Sequence, residues 1–142
     1  MNKTIDWATL QLQAKAASEQ AYAPYSHFPV GVAILASSGR IYTGCNVENA
    51  SYGGTTCAER NAIAAAVVAG ERQFDALVVY TPQDKLTPPC GICRQVIAEF
   101  FTPDSPVASC NHLGALQSWT LAELLPDAFT PTYLAASTKV KS

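Results

Sequence analysis

The sequence predicts an α/β protein, a three-layer α/β/α sandwich around a mixed sheet of about five strands. Three observations predict it. Short apolar runs of strand character alternate with alanine-rich and amphipathic helical stretches. One run, residues 74–81, is apolar nearly throughout, as befits a strand in mid-sheet covered on both faces. A chain of 142 residues with 49% hydrophobic content is one ordinary domain's worth, long enough for a real core.

The elements follow in order. Thr4 can cap a first helix over about residues 5–20, with Ile5, Ala8, Leu12 and Ala16 close to one face. Residues 21–29 hold two prolines and three aromatics, so they cannot continue that helix and read as a structured loop. Residues 30–36 and 41–46 are apolar strands joined by a short connection containing Gly39, which predicts an antiparallel hairpin. The polar loop 46–56 carries Glu48, Asn49, Ser51, Tyr52, Gly53 and Gly54, and loops in such positions often carry function. A helix over about 57–69 is rich in small alanines that permit close packing, and Gly70 suits the position just past its end. After strand 74–81, loop 82–89 delivers Cys90, which opens a helix to about residue 101 with Val96, Ile97 and Phe100 available for burial.

Residues 107–110 and 115–119 are short, weak strands whose connection is too short for a parallel crossover, so an antiparallel edge is expected. Thr120 and Glu123 form a capping box that starts a short helix ending before Pro126. Residues 1–129 are expected to be a single domain and residues 130–142 a polar tail. There is no internal repeat and no low-complexity segment.

A net charge of -2 and a pI near 5.6 lack the basic excess of a phosphate-tracking protein, and no Lys/Arg run alternates with aromatics. A small-molecule substrate fits better than a nucleic acid. The first residues show no apolar stretch behind Lys3, so neither a signal peptide nor a membrane association is expected, and the protein is expected in the cytoplasm with reduced thiols. The five cysteines (Cys45, Cys57, Cys90, Cys93 and Cys110) are an odd number, which favours metal binding or buried thiols over a disulfide framework.

The chemistry concentrates in two stretches, Thr56-Cys57-Ala58-Glu59-Arg60-Asn61 and Pro89-Cys90-Gly91-Ile92-Cys93-Arg94. If both open helices that point at the same place, Cys57, Cys90 and Cys93 converge on one metal and leave one coordination position open. Zinc held by three protein ligands keeps water in the fourth place and lowers its pKa to about 7. Helix N-termini favour the thiolates, and Arg60 and Arg94 can offset the excess of anionic ligands. Glu59 need not ligate and can move the water's proton. Residues two apart on a regular helix do not face each other, so Glu59 can point at the metal only if Cys57 sits at the non-helical cap. Each cysteine alone is equally compatible with a buried small hydrophobe, and Cys-x-x-Cys with a redox pair or half a structural zinc site. A non-catalytic zinc or redox module therefore stays open on these residues.

The pattern Cys-Ala-Glu-Arg followed by Pro-Cys-Gly-x-Cys-Arg-Gln resembles the zinc-dependent cytidine deaminases of the small, homotetrameric type. Residues 21–32, 44–53, 57–60, 89–100 and 120–129 all share in the resemblance, which thus covers nearly the whole chain up to the tail. It implies a cytidine deaminase-like fold and hydrolytic deamination of cytidine and 2'-deoxycytidine to uridine and 2'-deoxyuridine, a step of pyrimidine salvage. By that similarity one Zn2+ per chain on Cys57, Cys90 and Cys93 activates water for attack at C4. Glu59 takes the water's proton, protonates N3 and later serves the leaving ammonia.

The resemblance further implies that Asn46 and Glu48 bond the ribose hydroxyls, that Ala58 meets the base through its backbone and that Phe28 lies beside the ring. Ala50, Tyr52 and Phe129 would reach a site in a neighbouring subunit of the homotetramer. Gly54 and Thr56 stand where larger apolar residues are common in the family, which bears on the pocket wall and on fine substrate preference. Cys45 and Cys110 receive no role, and His27 and His112 read as loop residues rather than ligands. The runner-up substrate is another cytosine-bearing molecule such as a nucleoside antibiotic; Asn46 and Glu48 favour the nucleoside. A deaminase of nucleic acid would share the zinc chemistry but needs a positive groove that the net charge speaks against.

Overall fold

Strands β1 (Gly31–Ala36), β2 (Ile41–Cys45), β3 (Phe74–Thr81), β4 (Pro106–Asn111) and β5 (Leu116–Thr120) form one sheet in the order β2-β1-β3-β4-β5. The helices are α1 (Trp7–Ser18), α2 (Ala58–Val68), α3 (Gly91–Phe100), α4 (Leu121–Leu124) and α5 (Pro131–Lys139). The computed structural model describes residues 4–139; the expectations that touch residues 1–3 and 140–142 lie outside the described residues. Strands β1 and β2, β1 and β3, and β4 and β5 pair antiparallel, whereas β3 and β4 are parallel and bracket α3 in the chain. The sheet is therefore mixed, as expected.

Two cores make the three layers. On one face, Leu10 and Ala14 of α1 pack on Ala33, Ala76, Val78 and Tyr80. On the other, Ala62, Ile63 and Ala66 of α2 and Ile97 of α3 pack on Val32, Leu77 and Val79. Strand β3 divides its side chains between the two by the period of two that every strand obeys. It is buried on both faces, which explains its nearly unbroken apolar run.

Two glycines set how closely the helices approach. A Cβ at Gly31 would lie 1.9 Å from the Ala14 carbonyl oxygen, so only glycine lets α1 rest on β1 there. At Gly44 it would lie 2.4 Å from the Ala62 nitrogen and 2.6 Å from the Ala58 oxygen. The first turn of α2 is thus seated directly on β2, which fixes the residues that follow Cys57. Helix α2 ends as its sequence predicts. Gly70 adopts φ +100°, its N–H bonds the Val67 carbonyl at 3.0 Å, and the Glu71 N–H bonds the Ala66 carbonyl at 3.0 Å.

Three expectations are corrected. Helix α1 is capped by Asp6, not Thr4: the Asp6 carboxylate accepts from the Thr9 N–H at 3.1 Å and the Thr9 hydroxyl at 2.7 Å, a pairing Thr4 cannot match at its distance from the first turn. Its buried stripe is Leu10, Ala14 and Ser18, while Leu12 is 69% exposed, because contact with Gly31 selects small residues at that face. The polar segment after residue 129 forms α5, which Pro131 opens. Strands β4 and β5 form the expected antiparallel pair at one end of the sheet, with β5 outermost and β2 at the opposite edge. Thr120 and Glu123 form the expected capping box. Among the described residues no helix is long and apolar enough to cross a membrane.

Candidate active site and metal centre

Helices α2 and α3 begin in the same way. Cys57 is the N-cap of α2 with φ -71° and ψ 155°, and Cys90 is the N-cap of α3 with φ -70° and ψ 170°. Both are extended, and neither side chain caps its own helix. Each sulfur therefore stands beside the unsatisfied amides of a first turn, where negative charge is favoured. Cys93 lies in the first turn of α3 and is buried. The three sulfurs all lie within 4.8 Å of one another, with Cys57 Sγ and Cys90 Sγ 4.0 Å apart. Sulfurs bound to one tetrahedral zinc at about 2.3 Å stand about 3.8 Å from each other, so three thiolates at this spacing fit that ion.

Charge in the cluster is tightly rationed. The Cys57 thiol is pulled down to about 5, first by the hydrogen bond from Cys93 and then by Arg60, whose Nη2 lies 3.6 Å from its sulfur, and by Cys90. Cys93 is pushed up for the converse reason, since ionising it ends its hydrogen bond to Cys57. A thiolate on Cys57 thus opposes ionisation of Cys93. Three thiolates require a cation among them. Arg94, expected beside the sulfurs, instead donates from Nε to the Pro89 carbonyl at 2.8 Å and from Nη1 to the Leu124 carbonyl at 2.9 Å. It anchors the turn that presents Cys90.

Glu59 is the second residue of α2 and is 5% exposed. With Cys57 at the cap outside the helix, it lines the same cavity as Cys57. Burial, with a smaller contribution from the charge on Cys57, pushes its carboxyl up to about 7. A carboxyl poised there exchanges protons readily near neutrality.

Cys57, Ala58, Glu59 and Cys90 share a cavity of about 320 Å³ with Phe28, Asn46 and Glu48. This lies at the small end of the roughly 300–1,000 Å³ of small-molecule pockets. Asn46 and Glu48 also hold the 21–30 loop in place. The Asn46 amide accepts from the Val30 N–H at 2.9 Å and donates to the Phe28 carbonyl at 2.9 Å. One Glu48 oxygen accepts from the N–H groups of Tyr25 at 3.0 Å and Ser26 at 3.1 Å, and the other accepts from the Ser26 hydroxyl. These bonds hold its carboxyl below the usual range, the Ser26 hydroxyl contributing most. Each side chain keeps hydrogen-bonding capacity for a ligand.

Ala50, Tyr52 and Phe129 do not join this cavity. Tyr52 is 77% exposed and meets Tyr25 edge-on with centroids 6.0 Å apart. Phe129 is 57% exposed and stacks on Tyr133 at 5.8 Å. The 46–56 loop is tied down despite Gly54 and Thr56: Thr56 exchanges both backbone hydrogen bonds with Val47 at 2.9 and 3.0 Å. Cys110 is buried under α1 and pushed up to about 11 by that burial, and the Cys45 carbonyl accepts from Asn61 at 2.8 Å. His112 pairs with Asp84 at 3.3 Å, away from the sulfurs. Sequence reading missed Thr55, Thr81, Thr87 and Pro88 in the cavity wall. Thr81 carried a usable signal, a polar residue closing an apolar central strand just before the ligand loop.

Residues 6–109 match the family described as cytidine and deoxycytidylate deaminase zinc-binding region. The chain belongs to the cytidine deaminase family. It is 50% identical over 126 residues to the cytidine deaminase of Sporosarcina psychrophila, covering 89% of this chain and 93% of that protein. With the cytidine deaminase of Halalkalibacterium halodurans it shares 46% over 126 residues, 89% of this chain and 96% of the other. Among solved structures, the cytidine deaminase from Burkholderia pseudomallei superimposes with a TM-score of 0.84 at 45% identity, covering 88% of this chain and 100% of that one. The three-layer sandwich is thus the fold of known cytidine deaminases. As a member, the chain is a zinc-dependent deaminase, a hydrolase, and Cys57, Cys90 and Cys93 form a cluster that could hold its zinc.

Proposed function

We propose that this deaminase hydrolyses cytidine and 2'-deoxycytidine to uridine and 2'-deoxyuridine with release of ammonia, in pyrimidine salvage. The observation that carries the reading is the cavity in which Cys57 and Cys90 of the sulfur cluster and the buried Glu59 carboxyl meet Phe28, Asn46 and Glu48. Zinc held by Cys57, Cys90 and Cys93 would supply a Lewis acid that lowers the pKa of water to about 7.

The chain's own residues do the rest. Phe28 packs against the pyrimidine ring, and the Ala58 backbone meets its polar edge. Asn46 and Glu48 use their remaining capacity on the sugar hydroxyls, and the 21–30 loop they hold together becomes one wall of the site. Glu59 accepts the proton of the attacking water and passes it to N3 as C4 becomes tetrahedral, then takes the proton of the new C4 hydroxyl and delivers it to the departing amine as the C4–N bond breaks and the carbonyl forms. Water and cytidine in, uridine and ammonia out, leaves Glu59 as it began. Its burial excludes bulk water from that exchange. Arg60 steadies the Cys57 sulfur, and Arg94 holds the Cys90 turn.

Ala50, Tyr52 and Phe129 lie exposed outside their own chain's cavity, which supports a homotetramer in which these residues complete a neighbour's site. A three-thiolate centre requires reduced sulfur, which supports a cytoplasmic location. The test is an ultraviolet assay of purified protein with cytidine, deoxycytidine, cytosine and single-stranded DNA side by side. The first two should be converted and the last two left unchanged. Zinc-loaded protein that ignores cytidine, or converts cytosine as readily, would overturn the reading.

A further inference from the structure

Thr81 ends β3 at the point where the strand leaves the core. Ala76, Val78 and Tyr80 face α1, so Leu77, Val79 and Thr81 turn toward α2 and α3. Leu77 and Val79 pack there, and the Thr81 side chain lines the cavity that holds Cys57, Glu59 and Cys90. Thr81 is 0% exposed, and its hydroxyl finds no hydrogen-bond partner among the described residues. Asn46 and Glu48, in the same wall, are both hydrogen-bonded to loop backbone. A buried hydroxyl left unmet is unfavourable, and valine fits a central strand at least as well. Such a group is retained where a ligand meets it.

We infer that Thr81 is a substrate-binding residue whose hydroxyl hydrogen-bonds the pyrimidine ring of the bound nucleoside. The inference rests on the nucleoside deamination proposed above. The ring is the partner because the reacting carbon must lie against Glu59 and the sulfurs, and β3 hands the chain from Thr81 to the loop that delivers Cys90. A hydroxyl also suits a ring that exchanges an amino group for an oxygen. It rotates to accept from the first and donate to the second.

The experiment compares wild type with Thr81→Val, which keeps the shape and removes the hydroxyl, and Thr81→Ser, which keeps the hydroxyl. Kinetics with cytidine and deoxycytidine are read beside zinc content and Tm. In Thr81→Val, kcat/KM should fall about five- to tenfold for both nucleosides, with full zinc and a Tm unchanged or raised. Thr81→Ser should stay within about threefold of wild type. Wild-type kinetics in Thr81→Val would overturn the inference. So would a loss that tracks lowered Tm or zinc, or an equal loss in Thr81→Ser, since each assigns the hydroxyl or its methyl to the fold. A loss confined to cytidine would move the contact to the 2′-hydroxyl and equally overturn it. Those outcomes leave the proposed reaction standing, whereas a wild type inert toward cytidine would remove the reaction and this inference together.

Discussion

Glu59→Gln removes the proton acceptor while keeping its shape. The cavity offers no replacement: its other carboxylate, Glu48, has its oxygens on Tyr25 and Ser26 in the far loop. A positioned general acid or base contributes about 10²–10⁴ in rate. Here two proton transfers pass through one carboxyl that is 5% exposed and shielded from bulk water, so the loss belongs at the upper end. We expect kcat to fall about 10⁴-fold, or about 5.5 kcal/mol in barrier height. Zinc content should not change, because Glu59 is not in the sulfur triad. Stability should not fall either, because a neutral amide is easier to bury than a carboxylate. Ultraviolet turnover with cytidine, metal analysis and a thermal melt on the same preparation read all three. A variant that keeps more than about a tenth of wild-type kcat with full zinc would refute the assignment of the proton to Glu59.

Gly44→Ala should destabilise the fold by about 1–3 kcal/mol or more and lower zinc content with it, because the new methyl meets the α2 backbone at 2.4 Å just past Cys57; an unchanged Tm with full zinc would contradict the seating of α2 on β2. Glu48→Ala should cut kcat/KM for cytidine about 10–100-fold while zinc stays bound, since it loses both a sugar contact and the bonds that hold Tyr25 and Ser26. Unaltered kinetics would return Glu48 to a purely surface role. Phe129→Ala should weaken substrate binding without removing zinc, with light scattering reporting whether the tetramer loosens. A wild type that is fully active as a monomer would refute the shared site.

The sheet and the sulfur cluster were legible because strong local signals agreed with the global fold. Residues 74–81 are apolar in sequence since both faces of β3 are covered, and the cap placement of Cys57 followed from requiring Glu59 to face the metal. What sequence left hidden depended on contacts between distant segments. The buried stripe of α1 is chosen by Gly31 beneath Ala14, so the larger Leu12 ends up in solvent. Asp6 outcompetes Thr4 through its reach to Thr9, a distinction between two good caps that composition does not settle. Strand β4 looks weak because its residues are small, yet it is interior; Val107, Ala108 and Cys110 are all buried. Asn46 and Glu48 read as ligand contacts, but their bonds to residues 25–30 emerge only when loops far apart in sequence meet. Thr81 could be singled out in sequence as the polar end of an apolar strand, but its unmet hydroxyl is a property of its surroundings.

The most direct measurement is uridine formation from cytidine by protein titrated with zinc from the metal-free state, with bound metal counted in the same samples. Turnover should rise in proportion to zinc and level off at one ion per chain, and Cys90→Ser should abolish both the binding and the activity, since Cys90 is one of the three converging sulfurs. Turnover by metal-free protein, or none at a full complement of zinc, would contradict a zinc-dependent cytidine deaminase.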